Sequence, residues 1–264
     1  ANTYGGDTTI TAGTLLAAND TALGADTTGT TVADGATLAF SNNVNSSEAI
    51  TISGNGVLSG GALRNVSGNN TNTGNVVLGA TSRIQIDSGS SLTLSNIDTT
   101  FGTRNLVVSA NGTLTVLGAI SNSTAITNVL QKDGLGNMIV SNNGTTGGIQ
   151  LQLGAGAFTL ASGSFSTNTS TTGSAASPRA IDLGISASGD STNDVAFYAN
   201  GGVTVSNSIY VAPSGSGSSA TRTLGTESTS GTATFNNEIY LGGNLNVSAA
   251  SGGSRRPRRT RAAD

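Results

Sequence analysis

The sequence contains no cysteine, no histidine and no tryptophan among its 264 residues. Their absence excludes disulfides, thiol nucleophiles, imidazole bases and the usual zinc and haem ligand sets. Only 9% of the residues are charged, and three are proline. Because 35% are apolar, the composition is not that of a charge-rich disordered chain. We therefore expect a folded protein with few options for catalysis.

Glycine, threonine, serine and asparagine together supply more than half of the chain. Between them lie single Val, Ile and Leu residues, as in residues 91–95, where Leu92 and Leu94 alternate with hydroxyl side chains. Alternation at a period of two places the apolar residues on one face of a strand. Pairs such as Asp34-Gly35 tolerate the positive φ of tight turns. The pattern predicts many short strands with one buried face, and almost no helix.

Internal repetition favours a solenoid over a sandwich. Three segments share a turn followed by a short strand: residues 1–10, 68–78 and 142–151. When Asn2, Asn70 and Asn143 are taken as equivalent, the two intervals between them are similar in length. A shorter echo relates residues 207–211 to residues 237–241. Units too small to bury their own apolar face stack on neighbours into a rod.

We predict an all-β parallel β-helix, a single rod over residues 1–250 followed by a basic C-terminal tail over residues 251–264. Repeat-like segments are expected near residues 1–16, 63–79 and 132–154. At roughly 20 residues per coil and ~4.8 Å between coils, the chain would form about 12–13 coils and a rod about 60 Å long.

The repeated segments resemble the autotransporter-associated β-strand repeat family of bacterial secreted and surface proteins. That pattern runs from a Leu-x-Leu-Ser strand through a Gly-Ala-Asn-Thr-Tyr-x-Gly-Gly turn to a Thr-Thr-Ile strand and Ala-Gly-Thr-Leu. Residues 1–16 match its later part, with one residue fewer between Tyr4 and Gly5, and residues 63–78 and 132–153 match with substitutions. The resemblance implies a right-handed parallel β-helix exposed outside the cell, and it supplies no catalytic residues.

The acidic residues are scattered, whereas polysaccharide-cleaving β-helices need convergent carboxylates or a bound metal. Asp182, Asp190 and Asp194 form the densest group, and residues 190–194 offer weak candidate oxygen ligands, Asp190 and Asp194, for calcium. The only lysine, Lys132, precedes a turn and is expected in a surface pair. We therefore predict no enzymatic activity, no metal and no cofactor, with a carbohydrate-active β-helix enzyme as the alternative.

Ice binding is a further alternative, since β-solenoids can present rows of Thr-x-Thr triplets. Such triplets begin here at Thr9, Thr113, Thr221 and Thr232, at unequal intervals. This irregularity argues against one flat ladder, and threonine is better explained by its β propensity on a solvent face.

Three tyrosines lie between apolar residues in predicted strands: Tyr198, Tyr210 and Tyr240. Because the apolar neighbours are expected to point inward, the tyrosine rings should point outward. Exposed tyrosine can anchor a sugar or a partner protein. We expect these three residues to form a contact surface, with a glycan or cell-surface polysaccharide as a candidate partner.

Five arginines crowd the C-terminus: Arg255, Arg256, Arg258, Arg259 and Arg261. The formal charge of the chain is −3, and without residues 255–264 the remaining six basic and thirteen acidic residues give −7. An acidic body without interleaved basic and aromatic residues argues against nucleic acid as a partner.

No apolar run approaches the ~18 residues of a membrane helix.

The ends of the rod suggest assembly. The chain starts within the family motif, at Ala1, Asn2 and Tyr4, and residues 244–250 resemble the strand that normally precedes it. Joining Leu245 and Val247 of one copy to the first residues of the next would grow a head-to-tail filament, which the arginine tail could support; continuation into adjacent repeats of a longer chain is the alternative. The sequence thus predicts a structural or adhesive module of a bacterial cell-surface or extracellular fibre.

Overall fold

The computed structural model describes residues 2–25, 28–100, 102–122, 128–141, 149–163, 181–186 and 189–251, and the backbone of residues 254–257 and 260–262. Short strands dominate these ranges, as the alternating pattern predicts. A 3-10 turn, Val57–Ser59, is the one helical element among them. None of the described residues lies in a helix long and apolar enough to cross a membrane.

The first ten strands are β1 (Thr8–Ile10), β2 (Thr14–Ala17), β3 (Gly29–Val32), β4 (Thr37–Phe40), β5 (Asn45–Ser46), β6 (Ala49–Gly54), β7 (Leu63–Asn65), β8 (Asn69–Asn72), β9 (Val76–Ile86) and β10 (Ser91–Leu94). The next ten are β11 (Ile97–Asp98), β12 (Leu106–Ala110), β13 (Thr113–Val116), β14 (Ile120–Ser121), β15 (Asn128–Asp133), β16 (Asn137–Ser141), β17 (Ile149–Leu153), β18 (Gly156–Ser162), β19 (Ile181–Leu183) and β20 (Ile185–Ser186). The last ten are β21 (Gly189–Asp190), β22 (Val195–Ala199), β23 (Thr204–Val205), β24 (Ile209–Val211), β25 (Arg222–Thr226), β26 (Thr232–Phe235), β27 (Ile239–Leu241), β28 (Asn246–Ala249), β29 (Ser254–Pro257) and β30 (Thr260–Ala262).

Successive strands lie on three faces of a parallel β-solenoid. The first face contains β1, β3, β6, the start of β9, β11 and β14, then β23, β26 and β29 in a separate three-stranded sheet. The second face contains β2, β4, β7, the end of β9, β12, β15, β17, β19, β24, β27 and β30. The third face is a nine-stranded sheet of β5, β8, β10, β13, β16, β18, β22, β25 and β28. Among the described pairs only the short β20 and β21 run antiparallel.

The solenoid has about nine complete turns, because its third face collects one strand from each of nine successive turns and the second face has one further strand at each end. The expected 12–13 coils are therefore wrong. The turns are longer than assumed and unequal in length: Lys132 pairs with Leu153 in the next turn, and Leu153 pairs with Leu183 in the turn after that. At ~4.8 Å per turn the rod is roughly 45–50 Å long, since the second face extends somewhat beyond the third.

Inward side chains stack in columns along the rod. A second-face column holds Leu38, Leu63, Ile84, Val108, Lys132, Leu153, Leu183 and Val211. A third-face column holds Leu92, Leu114, Met138, Phe158, Phe197 and Leu224. Within it the rings of Phe158 and Phe197 stack with centroids 5.6 Å apart. Each buried Leu or Ile is worth ~1.5–3 kcal/mol, so these columns supply most of the stabilisation.

Polar residues interrupt the columns near the N-terminal end. Asn70 occupies the interior position next to Leu92, and its amide donates to Asn65 Oδ1 at 2.6 Å. Asn65 in turn donates to Ser90 Oγ at 2.9 Å, and the buried Glu48 accepts from Thr30 Oγ1 at 2.7 Å. Buried polar groups are tolerated when they are bonded in this way.

The register relates some of the repeated segments. Ile10 and Leu78 share a first-face column, with Val32 and Ile52 between them, so the interval between the first two repeated segments spans three turns. The shorter echo is one turn, because Tyr210 pairs with Tyr240. Residues 149–151 lie instead on the second face, and Asn143 is outside the described residues.

The C-terminal segment of the chain adds two strands to the rod. β29 pairs with β26 and β30 with β27, both in parallel. Arg255 and Arg256 lie in β29 and Arg261 in β30, while Arg258 and Arg259 are outside the described residues. The backbone of the predicted tail thus continues the solenoid beyond residue 250.

The inward position of Leu94 and the outward position of Thr93 yield a paired test of the columns. Leu94 is fully buried and Thr93 is partly exposed. Truncation of a buried Leu already costs ~2–5 kcal/mol, and burial of a carboxylate adds to it. We expect Leu94→Asp to lower the free energy of unfolding by more than ~4 kcal/mol and Thr93→Asp by less than ~1 kcal/mol, measured by urea denaturation. Equal tolerance of both would contradict the assigned faces.

Candidate functional site

The three aspartates singled out in the sequence do not share one site. Asp182 is buried on β19 and accepts a hydrogen bond from Gln150 Nε2 at 2.7 Å. Asp190 and Asp194 line two different cavities. Within the described ranges no group of three or more Asp or Glu residues is arranged to hold a metal ion.

Asp190 lines a cleft of about 380 Å³, here called the Asp133 cleft, between the turns that follow β15, β17 and β21. Its lining side chains include Gln131, Asp133, Asp190, Ser191, Thr192 and Asn193. Burial raises the pKa of the Asp133 carboxyl, although the hydrogen bond from Gln131, at 2.7 Å, and the charges of Arg83 and Lys132 oppose the shift. The cleft therefore brings together two carboxylates that the sequence pattern does not connect.

Lys132 lies beneath this cleft in the interior column of the second face, not in the expected surface pair. Its side chain is fully buried, and Nζ donates to the carbonyl oxygens of Asp133, Gly134 and Ala155 at 3.0, 2.7 and 3.0 Å. Burial lowers the pKa of Lys132 to about 8, against the opposing effect of Asp133. Period-two alternation from Leu130 to Lys132 is the sequence signal that indicates this inward position.

The three tyrosines are divided between two faces. Tyr210 and Tyr240 are neighbours in register on the second face, and the Tyr240 hydroxyl donates to Glu238 Oε2. Tyr198 lies on the third face, between Thr159 and Gly225 in the adjoining turns. All three side chains are partly exposed. A single contact surface made of all three is therefore absent from this fold.

Tyr198 borders a second cavity, of about 280 Å³, here called the Tyr198 groove. Its lining residues are Leu135, Asn137, Gly156, Ala157, Asp194, Val195, Ala196, Tyr198, Thr221 and Thr223. The groove follows from register, because Asn137, Ala157, Ala196 and Thr223 occupy one outward row over four successive turns. The two alanines leave a depression between the larger end residues.

The carboxylate of the groove is fixed by its neighbours. Asp194 Oδ1 accepts hydrogen bonds from the Thr221 backbone N–H at 2.6 Å and from Thr221 Oγ1 at 2.9 Å. These bonds hold the pKa of Asp194 below its usual value, so the side chain is ionised at neutral pH. On Tyr198, burial and then the charge of Glu227 raise the pKa, so its hydroxyl keeps its proton.

The Thr-x-Thr triplets do not form one ladder. Thr9 is on the first face in β1, and Thr232 opens β26 on the same face. Thr113 and Thr223 are on the third face, separated in their row by Asn137, Ala157 and Ala196.

The residues expected at the assembly ends lie at opposite ends of the rod. Asn2 Nδ2 donates to Ala22 O at 2.8 Å, and the Tyr4 hydroxyl bonds Thr8 Oγ1 at 2.8 Å. Leu245 packs against the core in part, and Val247 in β28 is 41% exposed. Ala1 is outside the described residues.

The buried Lys132 generates a pH prediction. Its folded pKa, about 8, is below the unfolded value of 10.5, so the unfolded chain binds more protons between these values and stability rises with pH through that window. We expect the free energy of unfolding to increase by about 2 kcal/mol between pH 7.5 and pH 9.5, measured by urea denaturation.

Lys132→Met is the matched control, because methionine keeps an unbranched side chain in the column and has no charge to titrate. The variant should show no such increase. The same pH dependence in both proteins would contradict the assignment to Lys132.

No protein-family model, no curated protein and no solved structure matches this chain.

Proposed function

We propose that this chain is a structural and adhesive module of a bacterial cell-surface or extracellular fibre. The observation that carries the proposal is the parallel stacking of about nine turns, which makes a rod from short strands with a largely apolar interior. Such a rod provides reach and long lateral faces from which binding residues can project. The resemblance to autotransporter-associated repeats supports the same location outside the cell.

Both ends of the rod expose apolar side chains of the interior columns. Leu15, next to the buried Leu38 in register, is 36% exposed, and Val247, next to the buried Leu224, is 41% exposed. Their strands also have unpaired edges: among the described strands β2 pairs only with β4, and β28 only with β25. Uncovered edges of this kind invite a further strand. A second copy stacked head to tail, or adjacent repeats of a longer chain, would supply it.

The register alters how such a junction would form. The first-face position after β28 is already occupied by β29 of the same chain. Residues 1–10 of a second copy therefore would not continue directly from residue 250. Instead, β1 of the second copy would stack on β29 of the first copy, and β2 on β30. Each face of the second copy would then continue the same face of the first.

Electron microscopy and sedimentation velocity of the isolated protein test this assembly. We expect filaments or end-to-end oligomers that lengthen with concentration, because each junction buries both exposed column ends. Monodisperse rods of roughly 45–50 Å at high concentration would contradict it.

Two charge substitutions make the test specific. Leu15→Glu together with Val247→Glu should leave single rods, because a carboxylate at each junction disfavours burial. Leu58→Glu is the control, since Leu58 is 98% exposed but lies in the 3-10 turn on the side of the rod. Loss of assembly in the control as well would place the contact elsewhere than at the ends.

A carbohydrate-active enzyme is the second candidate, favoured by the two carboxylates of the Asp133 cleft. Asp133, whose pKa is raised by burial, could donate a proton, and Asp190 supplies the second carboxyl of the pair that glycoside hydrolysis uses. Purified protein should then depolymerise a polysaccharide, and both Asp133→Asn and Asp190→Asn should abolish turnover. Absence of turnover on neutral and acidic polysaccharides would exclude this candidate.

A further inference from the structure

We infer that the Tyr198 groove binds a neutral glycan. The inference rests on the proposed adhesive function and assigns it a site and a class of ligand. Four features of the groove support it: its shape, its aromatic wall, its polar groups and its charge.

The shape suits a short oligosaccharide. Asn137 and Thr223 stand at the two ends of one outward row, with Ala157 and Ala196 between them. Three strand spacings separate these ends, roughly 14 Å along the rod. The depression is thus open, elongated and small, and it lies on the regular sheet of the third face. A site carried by paired strands needs little ordering when a ligand binds.

Tyr198 provides an aromatic surface at the side of this depression. In its row the side chain on one side belongs to Thr159, and on the other side Gly225 places no side chain against the ring. A partly exposed ring presents an apolar surface to the C–H groups of a sugar, and its protonated hydroxyl can donate a hydrogen bond. The exposed Leu135 adds apolar surface across the groove.

Polar groups with the chemistry of sugar recognition line the same depression. Asn137 offers an amide, Thr223 a hydroxyl, and Asp194 a carboxylate whose oxygens accept hydrogen bonds. Because Thr221 already holds Asp194 in place, the carboxylate needs no reorganisation to accept sugar hydroxyls. Charge-assisted hydrogen bonds of this kind are stronger than neutral ones.

The charge of the groove selects a neutral ligand over an acidic one. Asp194 lines it, and Glu227 lies beside it, where its Oε2 accepts from Thr159 Oγ1 at 3.0 Å. The described residues that line the groove include no lysine and no arginine. The nearby Arg222 is buried, and its guanidinium donates to the carbonyl oxygens of Ala212, Asn193, Thr221, Ser191 and Pro213. Among the residues that the structure describes, a uronate in the groove would therefore meet two carboxylates and no available cation.

A glycan array of neutral and acidic oligosaccharides, followed by isothermal titration calorimetry, tests the inference. We expect binding to at least one neutral oligosaccharide and weaker binding to its uronic acid counterpart. A galactan fragment, for example, should bind more tightly than the matching oligogalacturonate. No binding to any neutral glycan at millimolar concentration, or equal binding to the acidic counterpart, would overturn the proposal.

Variants of the groove locate the site. Tyr198→Ser should weaken binding about 10-fold or more, whereas Tyr198→Phe keeps the ring and should stay within about 3-fold. Asp194→Asn should weaken binding several-fold. Thr93→Ala is the control, because Thr93 belongs to the same row as Tyr198 but lies four turns away. This variant should bind the glycan as tightly as the unchanged protein does. Undiminished binding by Tyr198→Ser, with its melting temperature unchanged, would place the glycan elsewhere.

These outcomes separate the inference from the proposed function. If the array shows no glycan binding while the rods still assemble, the groove assignment fails and the structural module stands. If neutral glycans bind through Tyr198 but the isolated protein stays as single rods, the groove stands and head-to-tail assembly fails.

Discussion

In-register parallel stacking is the constraint on which the rest of this structure depends. Each turn hydrogen-bonds to the turn before it and places its inward side chains directly on those of its neighbour. An inward side chain therefore contributes to stability through its contacts with the side chains above and below it in the same column. Leu92, Leu114 and Met138 illustrate this, since each is fully buried although no single turn could enclose it.

The same constraint explains how the rod accommodates charge in its interior. Lys132 and Arg222 both lie where side chains are buried, and each uses the carbonyl oxygens of nearby turns as its acceptors. The turns interrupt the hydrogen bonds between strands and leave backbone carbonyl groups without a strand partner. A long cationic side chain can reach these carbonyl groups. The interior of this solenoid is thus mostly apolar, and these two buried cations lie near the ends of β15 and β25, where the adjoining turns supply carbonyl acceptors.

The shape of the rod surface also follows from the stacking of turns. Small residues in successive turns make a depression, as Ala157 and Ala196 do, and a large residue beside them makes a wall, as Tyr198 does. Because neighbours in adjacent turns are distant in the chain, and by amounts that vary from turn to turn, the members of such a site have no recognisable spacing in the sequence. The Asp133 cleft has the same origin, since it joins residues of β15 to the turn after β21.

How much of this could be predicted from the sequence depends on the range of the interactions concerned. Period-two alternation is local, so it correctly predicted an all-β chain of short strands and the inward position of residues such as Leu94, and repetition predicted a solenoid. The number of turns and the position of Lys132 were predicted wrongly. The meeting of Tyr198 with Asp194 and Asn137 was not predicted at all. The sequence by itself determined which residues form strands and which face of each strand is apolar, because both depend on neighbours in the chain. Only the tertiary structure decided which residues of successive turns are in register, because that depends on the length each loop adds between one strand and the strand on which it stacks.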